Sequence, residues 1–300
     1  VGVRGSGARQ IVLLGHIDTV AGEIPVRQED DLFYGRGSVD AKGPLAAFVD
    51  AASQVAVPDD WQVVVIGAVD EERNSIGATF AIPNYQPEAA IIGEPSHWNR
   101  ITLGYKGSAY AEVTVTSSKA HTAGQGQPAC ETAVGIWTAL QGWAAEFNNG
   151  RPNLFDQVLL SLRRIDTLEG DFEDRVRMRI GARLPLDLPP AAYFGELRHI
   201  ADDYEVAELG VPVPAYRTDK QNKVARAFLG GIRAAGGEPG FLLKTGTADM
   251  NLAGSAWQCP MVAYGPGDSS LDHTPDEHIS IQEYERAVVV LKSVLTRLMA

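Results

Sequence analysis

The sequence predicts an α/β fold: a mostly parallel sheet covered by helices, interrupted by an inserted ferredoxin-like α+β unit. Three observations carry that expectation. Short apolar runs rich in Val and Ile recur with a helical pattern between them, as in strands buried on both faces. Near "GYKG" (104–107) the pattern changes to half-exposed alternation, and from about Val213 the α/β alternation returns. The expected boundaries are 1–104 with 213–300 for the larger domain and 105–212 for the inserted one.

The elements follow in order. "IVLLG" (11–15), "VVVIGAV" (63–69) and "AAIIG" (89–93) read as buried strands, with an Ala-rich helix "GPLAAFVDAASQV" between the first two and Pro44 in its first turn. This is the mark of crossover units on a parallel sheet. "SAYAEVTVTS" alternates as a half-exposed strand, "PACETAVGIWTALQGWAAEF" is an amphipathic helix, and "QVLLSLRRI" and "RVRMRIGARL" are strands. A helix "PAAYFGELRHIADDY" and an edge strand "EVAELGV" complete a βαββαβ order, the ferredoxin-like sandwich. Helix "KQNKVARAFLGGIRAAG", strand "CPMVAYG" and helix "SIQEYERAVVVLKSVLTRLM" close the larger domain.

Composition bounds the function. With 300 residues, 45% hydrophobic and 21% charged, the chain can bury a large core and hold two domains. No stretch approaches the roughly 20 apolar residues of a membrane span, and "VGVRGSGARQ" has no signal-peptide core. The expected compartment is the cytoplasm. Cys130 and Cys259 lie far apart without CxxC spacing, so a metal must use His, Asp and Glu. A net charge of −12 argues against a general field for nucleic acid or anionic membrane.

Chemistry collects where the strands end, the place where open parallel sheets gather ligands. "IVLLGHID" supplies His16 and Asp18, "VVVIGAVDEE" supplies Asp70, Glu71 and Glu72, and "AAIIGEP" supplies Glu94; Asp40 lies in "YGRGSVDAKG" and His273 in "SSLDHTPDEH". Each piece alone is ordinary loop chemistry. Together on one rim, these carboxylates would repel strongly without a cation, and an oxygen and nitrogen donor set of this size suits two ions such as Zn²⁺, Co²⁺ or Mn²⁺.

These motifs resemble the dinuclear metallohydrolase family of acetylornithine deacetylase, succinyl-diaminopimelate desuccinylase, aminoacylase and glutamate carboxypeptidase. The resemblance runs through "GHIDT", "GRGSVDAKG", "DEE", "GEP", "AHTA" and "LDHTPDEH", from residue 15 to 278. It implies an aminopeptidase/carboxypeptidase-like catalytic domain and an inserted dimerisation or lid domain. It further implies that His16 and Glu94 hold one ion, Glu72 and His273 the other, and Asp40 bridges them. Zn²⁺ is the expected metal, with Co²⁺ the second choice. Asp18 would orient the His16 ring by accepting its other N–H. Glu71 is the implied general base, and His121, supplied by the partner subunit of a homodimer, the implied oxyanion stabiliser. The family also implies a cis Asp40–Ala41 peptide.

Within the family, "GHIDTVAGEIPV", "GYKGSAY", "KTGTADMN" and "CPMVAYGPGDSSLDHTPDEHI" are most similar to the subgroup that releases lysine or ornithine from an amino-group carrier protein, LysW. A deacetylase, desuccinylase or carboxypeptidase remains the alternative within the family, and a catalytically silent binding homologue the alternative outside it. Arg183 matches an arginine that reads a substrate carboxylate, or it is a strand-end ion-pair partner. Lys244, Thr245 and Asn251 would contact substrate, or they cap the next helix. Arg163, Arg164, Arg175, Arg177, Arg179 and Arg183 form a candidate docking surface for an acidic carrier. Family members carry a further helix and strands ahead of the "GHIDT" strand, so the short lead-in before Ile11 is expected to mean either a truncated N-terminus or a fold that has lost an N-terminal element.

Overall fold

Strands dense in Val and Ile form the centre of the larger of two units, and their carboxyl ends set out the site. The computed structural model describes residues 1–118 and 127–300, with the backbone alone at residue 169. Two compact units are present: Val1–Gly104 with Tyr216–Lys244 and Ala248–Ala300, and Tyr105–Ala215 with Thr245–Thr247.

The first unit opens with β1 (Gly2–Gly5), β2 (Arg9–His16), β3 (Arg27–Glu29), β4 (Leu32–Tyr34), α1 (Lys42–Gln54), β5 (Trp61–Ala68), α2 (Ile76–Ala81), β6 (Ala89–Ile92) and β7 (Arg100–Tyr105). The second unit holds β8 (Gly107–Ser118), α3 (Ala129–Asn148), β9 (Leu159–Glu169), β10 (Glu173–Leu184), α4 (Pro190–Ala201) and β11 (Glu205–Val213). The chain then supplies β12 (Tyr216–Arg217), α5 (Lys223–Ala234), β13 (Gly240–Lys244), α6 (Asp249–Trp257), β14 (Met261–Ala263), β15 (His278–Ser280) and α7 (Ile281–Met299).

The main sheet runs β1-β5-β2-β6-β14-β7-β12, with β13 paired to β7. Its centre is parallel, β2 pairing with β5 and β6, and β14 with β6. Ile11 and Leu13 of β2 join a core with Phe48 of α1, Phe228 of α5 and Val290, Leu291 and Val294 of α7. Val12 and Leu14 are fully buried too. A strand apolar on both faces is therefore correctly read as central. Phe228 and Tyr264 stack with ring centroids 4.4 Å apart, and the Tyr264 hydroxyl donates to the Trp98 carbonyl at 2.7 Å. Among the described residues, no helix is long and apolar enough to cross a membrane.

The second unit is a four-stranded antiparallel sheet in the order β11-β8-β10-β9, with α3 and α4 packed on it. Its βαββαβ element order is the one the alternation predicts. Val176, Met178 and Ile180 face the helices within the core, while Arg175, Arg177 and Arg179 alternate onto the other face. Lys106 is fully buried, and its ammonium donates to the carbonyls of Leu154 (3.1 Å), Phe155 (2.9 Å) and Gln157. Burial pushes this amine down to about 8, so it is still the charged form that serves three acceptors at neutral pH.

The arginine cluster differs from the free positive patch its composition suggests. Arg179 pairs with Glu112 at 2.9 Å and Arg164 with Asp166 at 2.6 Å, while Arg177 lies 4.0 Å from Glu112 and Arg175 4.0 Å from Glu173. Cross-strand register sets Arg179 opposite Glu112 and Arg177 opposite Asp166, while Arg164 with Asp166 and Arg175 with Glu173 are alternate residues on one face of a single strand. Arg163 falls at the register shift between β9 and β10. A face whose cations already have neighbouring anions exerts little outward field.

Candidate metal centre

Each candidate ligand is delivered by the carboxyl end of a strand or by a loop beside it. His16 is the last residue of β2, and Glu94 follows β6. Gly93 precedes Glu94 because a side chain there does not fit: a Cβ would lie 2.9 Å from the Phe48 ring and 3.2 Å from the Gly15 Cα. After β5 the chain turns at Asp70, φ 64°, whose carbonyl accepts the N–H groups of Arg73 (3.3 Å), Asn74 (3.1 Å) and Ser75 (2.6 Å). That turn presents Glu71 and Glu72. Asp40 precedes α1 and is followed by a cis peptide to Ala41, as the resemblance implies. His273, at φ 62°, lies in the loop before β15.

Asp40 stands between the two histidines. Its Oδ1 is 3.2 Å from His16 Nε2 and its Oδ2 is 3.0 Å from His273 Nε2, which also lies 3.1 Å from Glu72 Oε2. Two groups of donor atoms result, His16–Asp40–Glu94 and Asp40–Glu72–His273, each with its atoms within 4.8 Å of one another. The groups share only Asp40. Asp18 takes a somewhat different part from the expected one. His16 Nδ1 is 3.2 Å from the Asp18 backbone carbonyl and 3.5 Å from its carboxylate, while that carboxylate accepts the N–H of Glu71 (3.3 Å) and of Glu72 (3.2 Å). Asp18 thus ties the end of β2 to the acidic turn after β5.

The electrostatics fit a cation. Burial acts against a charged His16, yet its contact with Asp40 and the charges of Glu94 and Glu71 push it up to about 11. His273 is pushed up to about 9, first by Asp40. Asp40 is held low despite its burial because both imidazoles face it. Glu94 is driven well up by burial and then by Glu71 and Asp40, and Glu71 by burial and then by Asp249. Glu72 is raised by burial and by Asp40, and its Oε1 is buried without a hydrogen-bond partner. Stacked carboxylates with an orphaned buried oxygen and two imidazoles form a donor set that divalent ions satisfy and protons satisfy poorly.

The other expected residues separate. Lys244 belongs to the first unit; burial lowers its pKa against the opposing pull of Asp272, Glu94, Asp268 and Asp40, and its ammonium donates to Ser269 Oγ. Asn251 is buried and accepts the Ala248 N–H at 3.0 Å, capping α6. Arg183 and Thr245 belong to the second unit, where Arg183 Nη1 donates to Thr247 Oγ1 at 3.1 Å. His121 lies outside the described residues. Two buried acids inside recognised motifs, Asp249 of "KTGTADMN" and Glu277 of "LDHTPDEH", have no role predicted from the sequence. Asp249, between Ala248 and Met250, could have been found as an acid in apolar surroundings; Glu277, between Asp276 and His278, gave no such signal.

The model of peptidase family M20/M25/M40 matches residues 12–297. The chain belongs to that family. It is 44% identical over 99% of its length to a [LysW]-lysine hydrolase of Deinococcus radiodurans, covering 84% of that protein. It is 39% identical over 99% of its length to a putative [LysW]-lysine/[LysW]-ornithine hydrolase of Pyrococcus abyssi, covering 81% of it. Among solved structures, aminopeptidase PepT of Bacillus cereus superposes with a TM-score of 0.78 at 16% identity, over 99% of this chain and 84% of that one. An M20 metallo-carboxypeptidase of Sulfolobus solfataricus gives 0.77 at 17%, over 99% and 87%. At that identity the likeness speaks for the M20 fold, a mixed α/β architecture with a mostly parallel central sheet.

Proposed function

We propose that this M20 hydrolase cleaves the amide joining lysine or ornithine to an amino-group carrier protein of the LysW type. The observation that carries the reading is the shared Asp40, one oxygen on each histidine, in a chain 44% identical to a [LysW]-lysine hydrolase. His16 and Glu94 would hold one divalent ion, Glu72 and His273 the other, with Asp40 common to both; Zn²⁺ fits these donors best and Co²⁺ next. Ions held there would supply a Lewis acid for the amide carbonyl and lower the pKa of a water from about 15.7 toward about 7.

The protein's own groups do the rest. Glu71, adjacent to a ligand but not in either donor group, takes the proton of the attacking water and returns it to the departing amine. Burial beside Asp249 raises its proton affinity in the ion-free site; cations held by the neighbouring ligands would lower it again and keep Glu71 ionised, as a base must be before it takes a proton. Arg183 is suited to a substrate carboxylate, Lys244, Thr245 and Asn251 to hydrogen bonds with substrate, and the partner's His121 to the oxyanion, in a homodimer formed through the second unit.

The test is release of free lysine and ornithine by protein stripped with a chelator and reloaded with Zn²⁺ or Co²⁺, with carrier-linked and N-acetyl substrates compared. Faster release from the carrier supports the proposal. Preference for the acetylated amino acid would transfer the protein to the deacetylase reading. Glu71→Gln is expected to lose 10²- to 10⁴-fold in kcat with ion binding retained; full activity would remove Glu71 as base.

A further inference from the structure

We propose that Glu277 is a positioning residue that sets the spacing between Asp40 and His273 and so holds both donor groups in register. The proposal rests on the paired-ion reading above. Glu277 is 1% exposed, a rare location for an acid without strong partners. Its Oε1 accepts two consecutive backbone N–H groups, Val39 at 2.9 Å and Asp40 at 3.0 Å, and its Oε2 takes Arg36 Nη1 at 2.8 Å. Its own carbonyl accepts the Gly35 N–H at 3.3 Å. One residue, four positions beyond His273, therefore grips the loop that ends in Asp40.

The neighbouring backbone closes the same joint. A Cβ at Gly43 would lie 2.2 Å from the Ser38 carbonyl oxygen and 2.9 Å from Ile279 Cδ1. Ile279, two residues past Glu277, thus packs against chain that has no room for a side chain. These loops are more than 230 residues apart in sequence, so local structure does not fix the 3.0 Å contact of Asp40 Oδ2 with His273 Nε2. The carboxylate suits the task better than an amide. Two N–H groups converge on one oxygen and a guanidinium on the other, and only an anion accepts all three.

The test compares wild type with Glu277→Gln, whose amide would turn its NH₂ toward Arg36 while one oxygen still serves the backbone. Stripped protein is titrated with Zn²⁺ by calorimetry and with Co²⁺ by visible absorption, and kcat and KM are measured after loading. The wild type is expected to take two ions. Glu277→Gln is expected to bind them 10- to 100-fold more weakly, with shifted Co²⁺ bands and a fall in kcat at nearly constant KM. If that variant does not fold, Arg36→Met keeps the backbone contacts and is expected to weaken Zn²⁺ binding at least threefold. Unchanged Zn²⁺ affinity and Co²⁺ bands, with only the melting temperature lowered, would overturn the proposal. A wild type that takes no second ion overturns the paired-ion reading itself, and this inference with it.

Discussion

Replacing Asp18 by Asn tests whether the acidic turn after β5 is positioned through one side chain. Asp18 Oδ1 accepts the Glu71 N–H at 3.3 Å and Oδ2 the Glu72 N–H at 3.2 Å. Asn is the same size, but it has a single acceptor oxygen, so one of the two N–H groups would face an NH₂ donor. A hydrogen bond to a charged group contributes about 1.5–3 kcal/mol. These distances lie at the long end of the N–H···O range, which places each bond near the lower figure. Losing one bond and the charge behind the other should therefore cost about 1.5–3 kcal/mol in the geometry that presents Glu71. At 1.36 kcal/mol per tenfold, kcat should fall roughly 10- to 150-fold. The assay is lysine release from the carrier at saturating Zn²⁺, with the melting temperature followed in parallel. KM should change little, because these N–H groups hold the turn rather than the substrate. A fall in kcat below threefold at unchanged melting temperature would refute the reasoning.

Three further outcomes follow from the same geometry. In chelator-stripped protein His16 is raised to about 11 and His273 to about 9, so both are protonated at pH 7 and must lose a proton to bind an ion; Zn²⁺ affinity should rise with pH between 6 and 8, with proton release detected calorimetrically in buffers of different ionisation heat. An affinity independent of pH would contradict the assignment. Lys106→Met would strand the carbonyls of Phe155 and Gln157, while that of Leu154 keeps the Gln157 N–H, at about 1–3 kcal/mol for each stranded group, partly offset by no longer burying an ammonium; a net loss of about 1–3 kcal/mol should appear in urea unfolding, and an unshifted midpoint would show the ammonium to be dispensable. Because Arg164, Arg177 and Arg179 already sit beside Asp166 and Glu112, their triple replacement by Gln should change KM for the carrier-linked substrate less than threefold at low salt; a tenfold rise would restore the arginine face as a docking surface.

The parallel centre of the main sheet was legible because it depends on local pattern. Strands buried on both faces must be continuously apolar, and "IVLL", "VVVI" and "AAII" are. The short or polar elements were not legible. β1 is exposed throughout, β12 has two residues, and β13 alternates only weakly, so their pairing is decided by the neighbours that offer an edge. The candidate site divides in the same way. Its donor types were readable, since acids gathered with imidazoles at the ends of successive apolar strands repel one another unless a cation lies between them. The direction of the Asp18 carboxylate was not, because a backbone carbonyl two residues from His16 competes for the same ring nitrogen.

The sequence by itself determined which residues were available for chemistry and on which strand ends they would stand, because hydrophobic periodicity fixes secondary structure locally. Only the tertiary structure decided that Asp40 turns one oxygen to each histidine, that Arg177 and Arg179 of β10 lie opposite acids, and that Glu277 joins two loops distant in the chain. Those are long-range contacts, and their distances are set by packing that no local pattern encodes.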